Sequence, residues 1–152
     1  MQLIAHRGLT QGPDKNIENH PEQIAKAINQ GFDCEIDLRI IGSKLMLGHD
    51  DAQYVINKNF LSDHSEKLWI HAKNLQALHW LTNEDDLNFF WHQEDDFVIT
   101  SKKYIWTYPG KELTNKSIMV MPEWHDPSFE NLNVNCFGIC SDYVENIKRI
   151  LD

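Results

Sequence analysis

The chain has 152 residues, a length that favours one domain with a sizeable hydrophobic core. Hydrophobic residues make up 41% of it and aromatic residues 11%, which argues against disorder, and no apolar run approaches the roughly 20 residues of a transmembrane segment. The formal net charge of -9 argues against a nucleic-acid partner, because such a partner needs a cationic surface.

The cysteine content and the N-terminal residues bear on the compartment. The three cysteines are odd in number and have no spacing suited to zinc, which is typical of small apolar residues in a reducing compartment. Met1 leads directly into an apolar segment, with no basic region of a secretory signal ahead of it. We therefore expect a cytoplasmic protein with a single domain over residues 1–152. The oligomeric state stays open.

In the first half of the chain, predicted strands alternate with predicted helices. Pro21 suits the first turn of a helix and Gly31 suits its end. The predicted elements, in chain order, are a strand over residues 2–6, a helix from Asn19 or His20 to Gly31, strands over 32–40, 44–47 and 68–73, and a helix that begins near Leu75.

After about residue 83 the pattern changes. Short apolar runs follow one another with polar turns between them, and no helix-length segment separates them. A final helix is predicted from near Asp142, because Val144, Ile147 and Leu151 recur at helical spacing. The short runs cover residues 89–91, 97–99, 104–106, 118–121 and 137–140.

This order of elements predicts an α/β fold. Alternating strands and helices favour a parallel sheet with right-handed crossovers, and about eight strand-like runs indicate a barrel. A complete barrel of this kind usually needs more than about 200 residues, so several outer helices must be missing. We therefore predict a small, helix-depleted TIM-like (β/α) barrel with mainly parallel strands. An open or incomplete barrel is the alternative.

Glu35 and Asp37 form the first candidate site. Strand alternation places both carboxylates on one face, about 6.6 Å apart along the strand. Such a pair repels unless a cation lies between its members, and oxygen ligands suit a hard divalent ion such as Mg²⁺ or Ca²⁺. A solvated strand face, or ion pairs to Lys and Arg, is the alternative.

Four further polar residues follow predicted strands: His6, Arg7, His49 and Lys73. Imidazole titrates near neutrality, so His6 and His49 suit general acid and base work, although most histidines are ordinary core or surface residues. Arg7 offers a phosphate two parallel hydrogen bonds, and Lys73 offers it a point charge. Because parallel strands end at one rim, we expect these side chains to converge.

The motifs that carry these residues resemble those of the glycerophosphodiester phosphodiesterase family, a phospholipase-like group of TIM-barrel phosphodiesterases. The resemblance covers the first 73 residues and extends to the last 15, whereas residues 83–130 do not align. The matching segments are Ile4-Ala5-His6-Arg7-Gly8, Glu18-Asn19, the Glu-x-Asp strand from Gly31 to Asp37, Gly48-His49-Asp50, Lys73, and Phe137 to Tyr143.

The resemblance implies a role for each matched residue. One of His6 and His49 would deprotonate the attacking hydroxyl, and the other would protonate the leaving alcohol. Glu18 would lie near the site and orient a catalytic group, and Arg7 could be a structural partner of Glu18 instead of a phosphate ligand. By the same resemblance, Glu35 and Asp37 would be metal ligands.

The third metal ligand is left open, because His71 stands where the family usually has a glutamate. His71 has the better position, whereas Glu123 is the better oxygen donor. Ligation by His71 would favour Mn²⁺ or Zn²⁺ over the harder ions.

We therefore expect a metal-dependent phosphodiester hydrolase that acts on a small glycerophosphodiester or a similar diester, as in lipid metabolism. A catalytically silent barrel that binds a phosphorylated ligand or a partner protein is one alternative, and a lyase that stops at the cyclic phosphate is another. The pair of imidazoles favours an enzyme over the silent barrel. Four aromatic residues are expected mainly in the core, or else stacked on a sugar or glycerol: Trp91, Trp106, Tyr108 and Trp124.

Overall fold

The computed structural model describes residues 1–132 and 135–152. Within these ranges, ten strands and four α-helices are present. The strands are β1 (Gln2–Ala5), β2 (Asp33–Ile41), β3 (Lys44–Leu47), β4 (Tyr54–Ile56), β5 (Leu68–Ala72), β6 (Asn88–Phe90), β7 (Phe97–Ile99), β8 (Ile105–Thr107), β9 (Ser117–Val120) and β10 (Gly138–Ser141). The helices are α1 (Pro21–Asn29), α2 (Lys58–Asp63), α3 (Leu75–Leu81) and α4 (Val144–Leu151).

All ten strands belong to one mixed sheet. Eight of them follow the order β4-β3-β2-β1-β10-β9-β8-β7. Outside this order, β5 pairs with residues Cys34 to Leu38 of β2, and β6 pairs with β5. Three pairs are antiparallel, namely β2 with β3, β3 with β4, and β7 with β8. The other pairs are parallel. The sheet curls into a half-barrel, because side chains from six of its strands pack together inside it.

The prediction of a TIM-like barrel with mainly parallel strands is therefore wrong. The physical reason lies in three short connections, over residues 42–43, 48–53 and 100–104. A parallel neighbour needs a crossover of a dozen or more residues, so a chain that turns this quickly must return antiparallel. Two strands that follow each other in the chain, β6 and β7, are not paired with each other in the described part of the chain.

Most predicted element positions are confirmed to within one or two residues. In α1, His20 caps the helix by accepting a hydrogen bond from the Glu22 backbone N–H (3.2 Å), and Pro21 occupies the first turn. By contrast, β4 and α2 have no counterpart among the predicted elements, because three- and six-residue segments are too short to show a period. No helix in the described ranges is long and apolar enough to cross a membrane.

The two faces of the curled sheet carry different side chains. On the outer face, Ile36 and Ile70 pack with residues of α1 and α3 in the largest hydrophobic cluster. On the inner face, Trp69 and Trp106 belong to a second cluster. Since side chains alternate along a strand, Glu35, Asp37 and His71 point to the same side as Trp69. The inner face of β2 and β5 is thus the place of the candidate site.

Candidate active site

Six of the predicted site residues line one cavity of about 150 Å³: His6, Arg7, Glu35, Asp37, His49 and His71. His6 follows β1, whereas Asp37 lies in the middle of β2 and His71 lies near the carboxyl end of β5. Because β3 returns antiparallel to β2, it brings His49 back to the same level, where the Gly48 N–H donates to the Asp37 carbonyl (3.0 Å). The rest of the wall is His92, Trp106, Tyr108, Pro109, Val120, Met121 and Trp124.

Glu35, Asp37 and His71 form a compact cluster of possible metal ligands. Asp37 and His71 are register partners in the β2–β5 pair, so their side chains stand next to each other. His71 Nδ1 lies 3.3 Å from Asp37 Oδ1 and 3.8 Å from Glu35 Oε1. One ligand atom from each of the three residues lies within 4.8 Å of the other two. Two carboxylates and one imidazole therefore meet at a single point.

His71 presents a defined nitrogen to this cluster. Its Nε2 lies 3.0 Å from the backbone carbonyl oxygen of His92, and a carbonyl only accepts hydrogen bonds, so Nε2 carries a proton. Phe90 stacks on the ring at a centroid distance of 5.0 Å. These two contacts leave Nδ1 to face the carboxylates of Asp37 and Glu35.

Asp37 is fully buried and held by two hydrogen bonds to Asn19. The Asn19 side-chain N–H₂ donates to Oδ2 (2.9 Å), and the Asn19 side-chain oxygen accepts from the Asp37 backbone N–H (2.9 Å). Burial alone would raise the pKa of Asp37, but His71, Arg7 and Asn19 hold it below its usual range. Within the described residues its other oxygen, Oδ1, is buried, receives no hydrogen bond and lies 3.3 Å from His71 Nδ1. An acceptor in this position suits a cation.

Glu35, two residues earlier, has the opposite electrostatic environment. Burial and the charge of Asp37 raise the pKa of Glu35, and the nearby His6, His71 and Arg7 oppose this effect only in part. The Arg7 backbone N–H donates to its Oε2 (3.2 Å). An additional positive charge at the cluster would favour the ionised form of Glu35.

Arg7 is fixed by its backbone and by two carboxylates. Its φ of +53° lies in the left-handed region, which few non-glycine residues adopt. One guanidinium nitrogen donates to Glu18 Oε2 (3.1 Å), and Nε lies 3.3 Å from Asp37 Oδ2. Arg7 thus pairs with Glu18, as the alternative interpretation of Arg7 expects, although Arg7 also lines the cavity and Glu18 does not.

His6 is oriented by a residue from the other end of the chain. Its Nδ1 lies 2.7 Å from Asp142 Oδ1, and its Nε2 lies 3.9 Å from Glu35 Oε2. Burial lowers the pKa of His6, but the Asp142 hydrogen bond and the charge of Glu35 raise it above the usual value overall. Because Asp142 occupies Nδ1, Nε2 is the ring atom that faces the cavity.

His49 sits in a turn that Arg39 holds. The Arg39 guanidinium donates to the Gly48 carbonyl (3.0 Å) and to the His49 carbonyl. His49 Nδ1 lies 2.8 Å from Asp50 Oδ1. Partial burial, together with the charges of Arg7 and Lys73, lowers the pKa of His49. Lys73 follows β5 and affects His49 through its charge, but it does not line the cavity.

Glu123, the alternative third ligand, lies elsewhere. Its Oε1 accepts from the Ser141 hydroxyl (2.9 Å) and from the Asp142 backbone N–H (3.0 Å). Burial raises the pKa of Glu123. The structure therefore brings His71, and not Glu123, to Glu35 and Asp37.

Three residues of the site were not predicted as site residues: Asn19, His92 and Asp142. Asn19 and Asp142 belong to segments of the family resemblance, which is the signal that could have found them. Nothing in the sequence points to His92, because it acts through its backbone carbonyl. Of the aromatic residues, Trp106 is buried, whereas Tyr108 (41% exposed) and Trp124 (61% exposed) stand at the cavity mouth.

Comparison of the chain with protein-family models, with curated proteins and with solved structures finds no match in any of the three. The resemblance to glycerophosphodiester phosphodiesterases therefore rests on the motifs of the sequence alone.

Proposed function

We propose that this protein is a phosphodiesterase that cleaves a small diester of glycerol or a similar alcohol, with one divalent metal ion. The observation that carries the proposal is the meeting of His6, His49 and Arg7 with a two-carboxylate, one-imidazole cluster in one cavity. The motif resemblance supports the same activity. Two cavity-facing imidazoles favour an enzyme over a binding protein.

The residues of the cluster fit a divalent ion. Glu35 and Asp37 are buried beside each other, and the Arg7 guanidinium lies 3.3 Å from Asp37, whereas Arg7 contacts Glu35 through its backbone N–H (3.2 Å). In the part of the chain that the structure describes, Asp37 Oδ1 is an acceptor that receives no hydrogen bond. Glu35, Asp37 and His71 would hold the ion, which supplies positive charge next to a phosphate oxygen, where negative charge increases in the transition state.

The side chains of the chain itself bind the phosphate and move protons. Arg7 lines the cavity and adds a fixed positive charge for the phosphate. One imidazole takes the proton of the alcohol's neighbouring hydroxyl as its oxygen bonds to phosphorus. The other gives a proton to the departing alcohol oxygen as that P–O bond breaks. Water then opens the cyclic phosphate with the reverse proton movements.

The dimensions of the cavity favour a small substrate. A volume of about 150 Å³ is below the 300–1,000 Å³ typical of sites for drug-sized ligands, which suits a phosphate group with a small alcohol. Tyr108 and Trp124 add exposed ring faces at the mouth, on which a glycerol or sugar moiety can pack.

Phosphorus NMR of a glycerophosphodiester incubated with the protein and Mn²⁺ or Mg²⁺ tests this function. We expect turnover to a phosphomonoester, and His6→Ala or His49→Ala should each lower kcat/KM by roughly 10²- to 10⁴-fold. His79→Ala is the matched control, because His79 is an exposed histidine on α3. A cyclic phosphate as the final product would indicate the lyase, and absence of turnover on any diester would contradict the proposal.

An activated substrate assigns the two proton roles. A nitrophenyl diester has a leaving group that needs no proton from the acid. This substrate should therefore restore the activity of the variant that lacks the acid and leave the variant that lacks the base inactive. Equal rescue of both variants would contradict the division of roles between His6 and His49.

A further inference from the structure

We infer that the cluster of Glu35, Asp37 and His71 selects an ion that accepts nitrogen, such as Mn²⁺ or Zn²⁺, over Mg²⁺ and Ca²⁺. The His92 carbonyl supports this selection, because it fixes which nitrogen of His71 faces the carboxylates. The inference rests on the metal-binding part of the proposed function and is independent of the reaction. It concerns the choice of metal.

The donor set is the first step. Mg²⁺ and Ca²⁺ prefer oxygen ligands throughout, whereas imidazole suits Zn²⁺ and other transition-metal ions. Ligand atoms about 2.1 Å from one ion lie roughly 3.0–3.4 Å apart, by the geometry of an octahedron or a tetrahedron. The 3.3 Å between His71 Nδ1 and Asp37 Oδ1 agrees with this spacing, and the 3.8 Å to Glu35 Oε1 needs only a small movement.

The second step is the orientation of the His71 ring. Metal-bound histidines generally donate their other N–H to a carbonyl or a carboxylate, which fixes the tautomer and aims the free nitrogen at the metal. His71 already makes this bond, to the His92 carbonyl at 3.0 Å, and Phe90 stacks on its ring. Nδ1 is thus prepared for a metal.

The third step concerns what holds the carbonyl. The His92 ring nitrogen Nε2 donates to the Asp95 carbonyl (2.8 Å), and the ring stacks on Tyr108 at 6.2 Å. The turn after β6 is therefore built around the carbonyl that His71 uses. An ionised glutamate at position 71 has no proton to donate, so it would leave this carbonyl without a donor while adding a third hard oxygen.

Calorimetric titration of the metal-stripped protein with MgCl₂, CaCl₂, MnCl₂ and ZnCl₂ tests the inference. We expect wild type to bind Mn²⁺ at least ~10-fold more tightly than Mg²⁺, and His71→Glu to reduce this ratio by ~10-fold or more. His79→Glu carries the same substitution on the exposed side of α3 and should keep the wild-type ratio. Most sites bind transition-metal ions more tightly than Mg²⁺ to some degree, so the wild-type affinity ratio alone is not diagnostic. The change of the Mn²⁺-to-Mg²⁺ affinity ratio in His71→Glu is diagnostic.

A measurement on the wild-type protein covers the case in which His71→Glu does not fold. Long-range ¹H–¹⁵N NMR of the Zn²⁺-loaded protein should show His71 with its proton on Nε2 and with Nδ1 shifted by the metal. Three results would each overturn the inference and leave the phosphodiesterase proposal intact. They are a His71 spectrum that does not respond to the metal, a wild type that binds Mg²⁺ or Ca²⁺ as tightly as Mn²⁺, and an unchanged Mn²⁺-to-Mg²⁺ affinity ratio in His71→Glu. Absence of any divalent binding would overturn the inference together with the metal part of the proposed function.

Discussion

At the scale of single residues, Asp142 determines how His6 is presented. Its Oδ1 lies 2.7 Å from His6 Nδ1, so the carboxylate accepts the Nδ1 proton and leaves Nε2 for the cavity. Asp142 is itself held, because Glu123 accepts a hydrogen bond from its backbone N–H. This arrangement fixes both the tautomer and the direction of the imidazole ring, as a general acid or base requires.

We predict that Asp142→Asn lowers kcat/KM by roughly 10²- to 10⁴-fold, because an amide does not stabilise the same tautomer of His6. Metal affinity should stay unchanged, since Asp142 is not part of the metal cluster. Steady-state kinetics and calorimetry measure the two effects separately. Asp50→Asn is a matched control: Asp50 bonds His49, but its side chain is 81% exposed, so a smaller loss is expected. Equal losses in both variants would argue against a special role for Asp142.

The charge of Lys73 should be visible in the pH profile. Burial is the main cause that lowers the pKa of His49; Arg7 and Lys73 lower it further, and Asp37 and Asp50 oppose them. Replacing Lys73 with Met removes a positive charge, so the pKa of His49 should rise. If neutral His49 is the base, the acidic limb of kcat/KM then moves to higher pH. Lys67→Met, whose ammonium pairs with Asp33, is the control and should leave the limb in place. A limb that stays fixed in Lys73→Met would contradict this prediction.

At the scale of elements, the register between β2 and β5 decides the metal cluster. Alternation in the sequence predicts that Glu35 and Asp37 share a face, and they do line one cavity. It does not predict which strand lies beside them, so the choice between His71 and Glu123 stays open at that stage. Only the pairing of Asp37 with His71 decides it, and pairing depends on contacts between residues far apart in the chain.

The turn after β3 provides a prediction for this element. Gly48 has a φ of +151°, and a Cβ there would lie 1.8 Å from the Asp51 carbonyl oxygen. Gly48→Ala must therefore rebuild the turn that places His49, and we expect loss of most phosphodiesterase activity. Gly42→Ala is the control: Gly42 also has a positive φ (+61°), but a Cβ there meets nothing within 4 Å, so its cost should be about 1 kcal/mol with activity retained. Urea unfolding and kinetics measure both, and an active Gly48→Ala variant would contradict the role of this turn.

At the scale of the whole molecule, the sequence predicts the positions of the strands better than their arrangement. Apolar runs such as residues 68–73 and 137–140 match buried strands, because burial imposes the same pattern on parallel and antiparallel strands. The direction of a strand relative to its neighbour depends on the connection between them. The short turns at 42–43 and 100–104 make the β2–β3 and β7–β8 pairs antiparallel. The number of strands alone therefore predicts a parallel barrel wrongly, because the lengths of the connections determine the directions of the strands.

The curled sheet should unfold as one unit, because its two faces share the same strands. Ile36 lies in the outer cluster and Ile118 in the inner cluster, and both are fully buried. Ile→Ala at either position should lower the free energy of unfolding by about 2–5 kcal/mol. In urea, tryptophan fluorescence, to which Trp69 and Trp106 of the inner cluster contribute, and far-UV circular dichroism should give the same midpoint in each variant.

Ile99→Ala on the edge strand β7 is the control, since this side chain is 69% exposed and its loss should cost less than about 0.5 kcal/mol. If Ile118→Ala moved the fluorescence midpoint and left the circular dichroism midpoint in place, the inner cluster would unfold separately, and the single cooperative unit would be disproved.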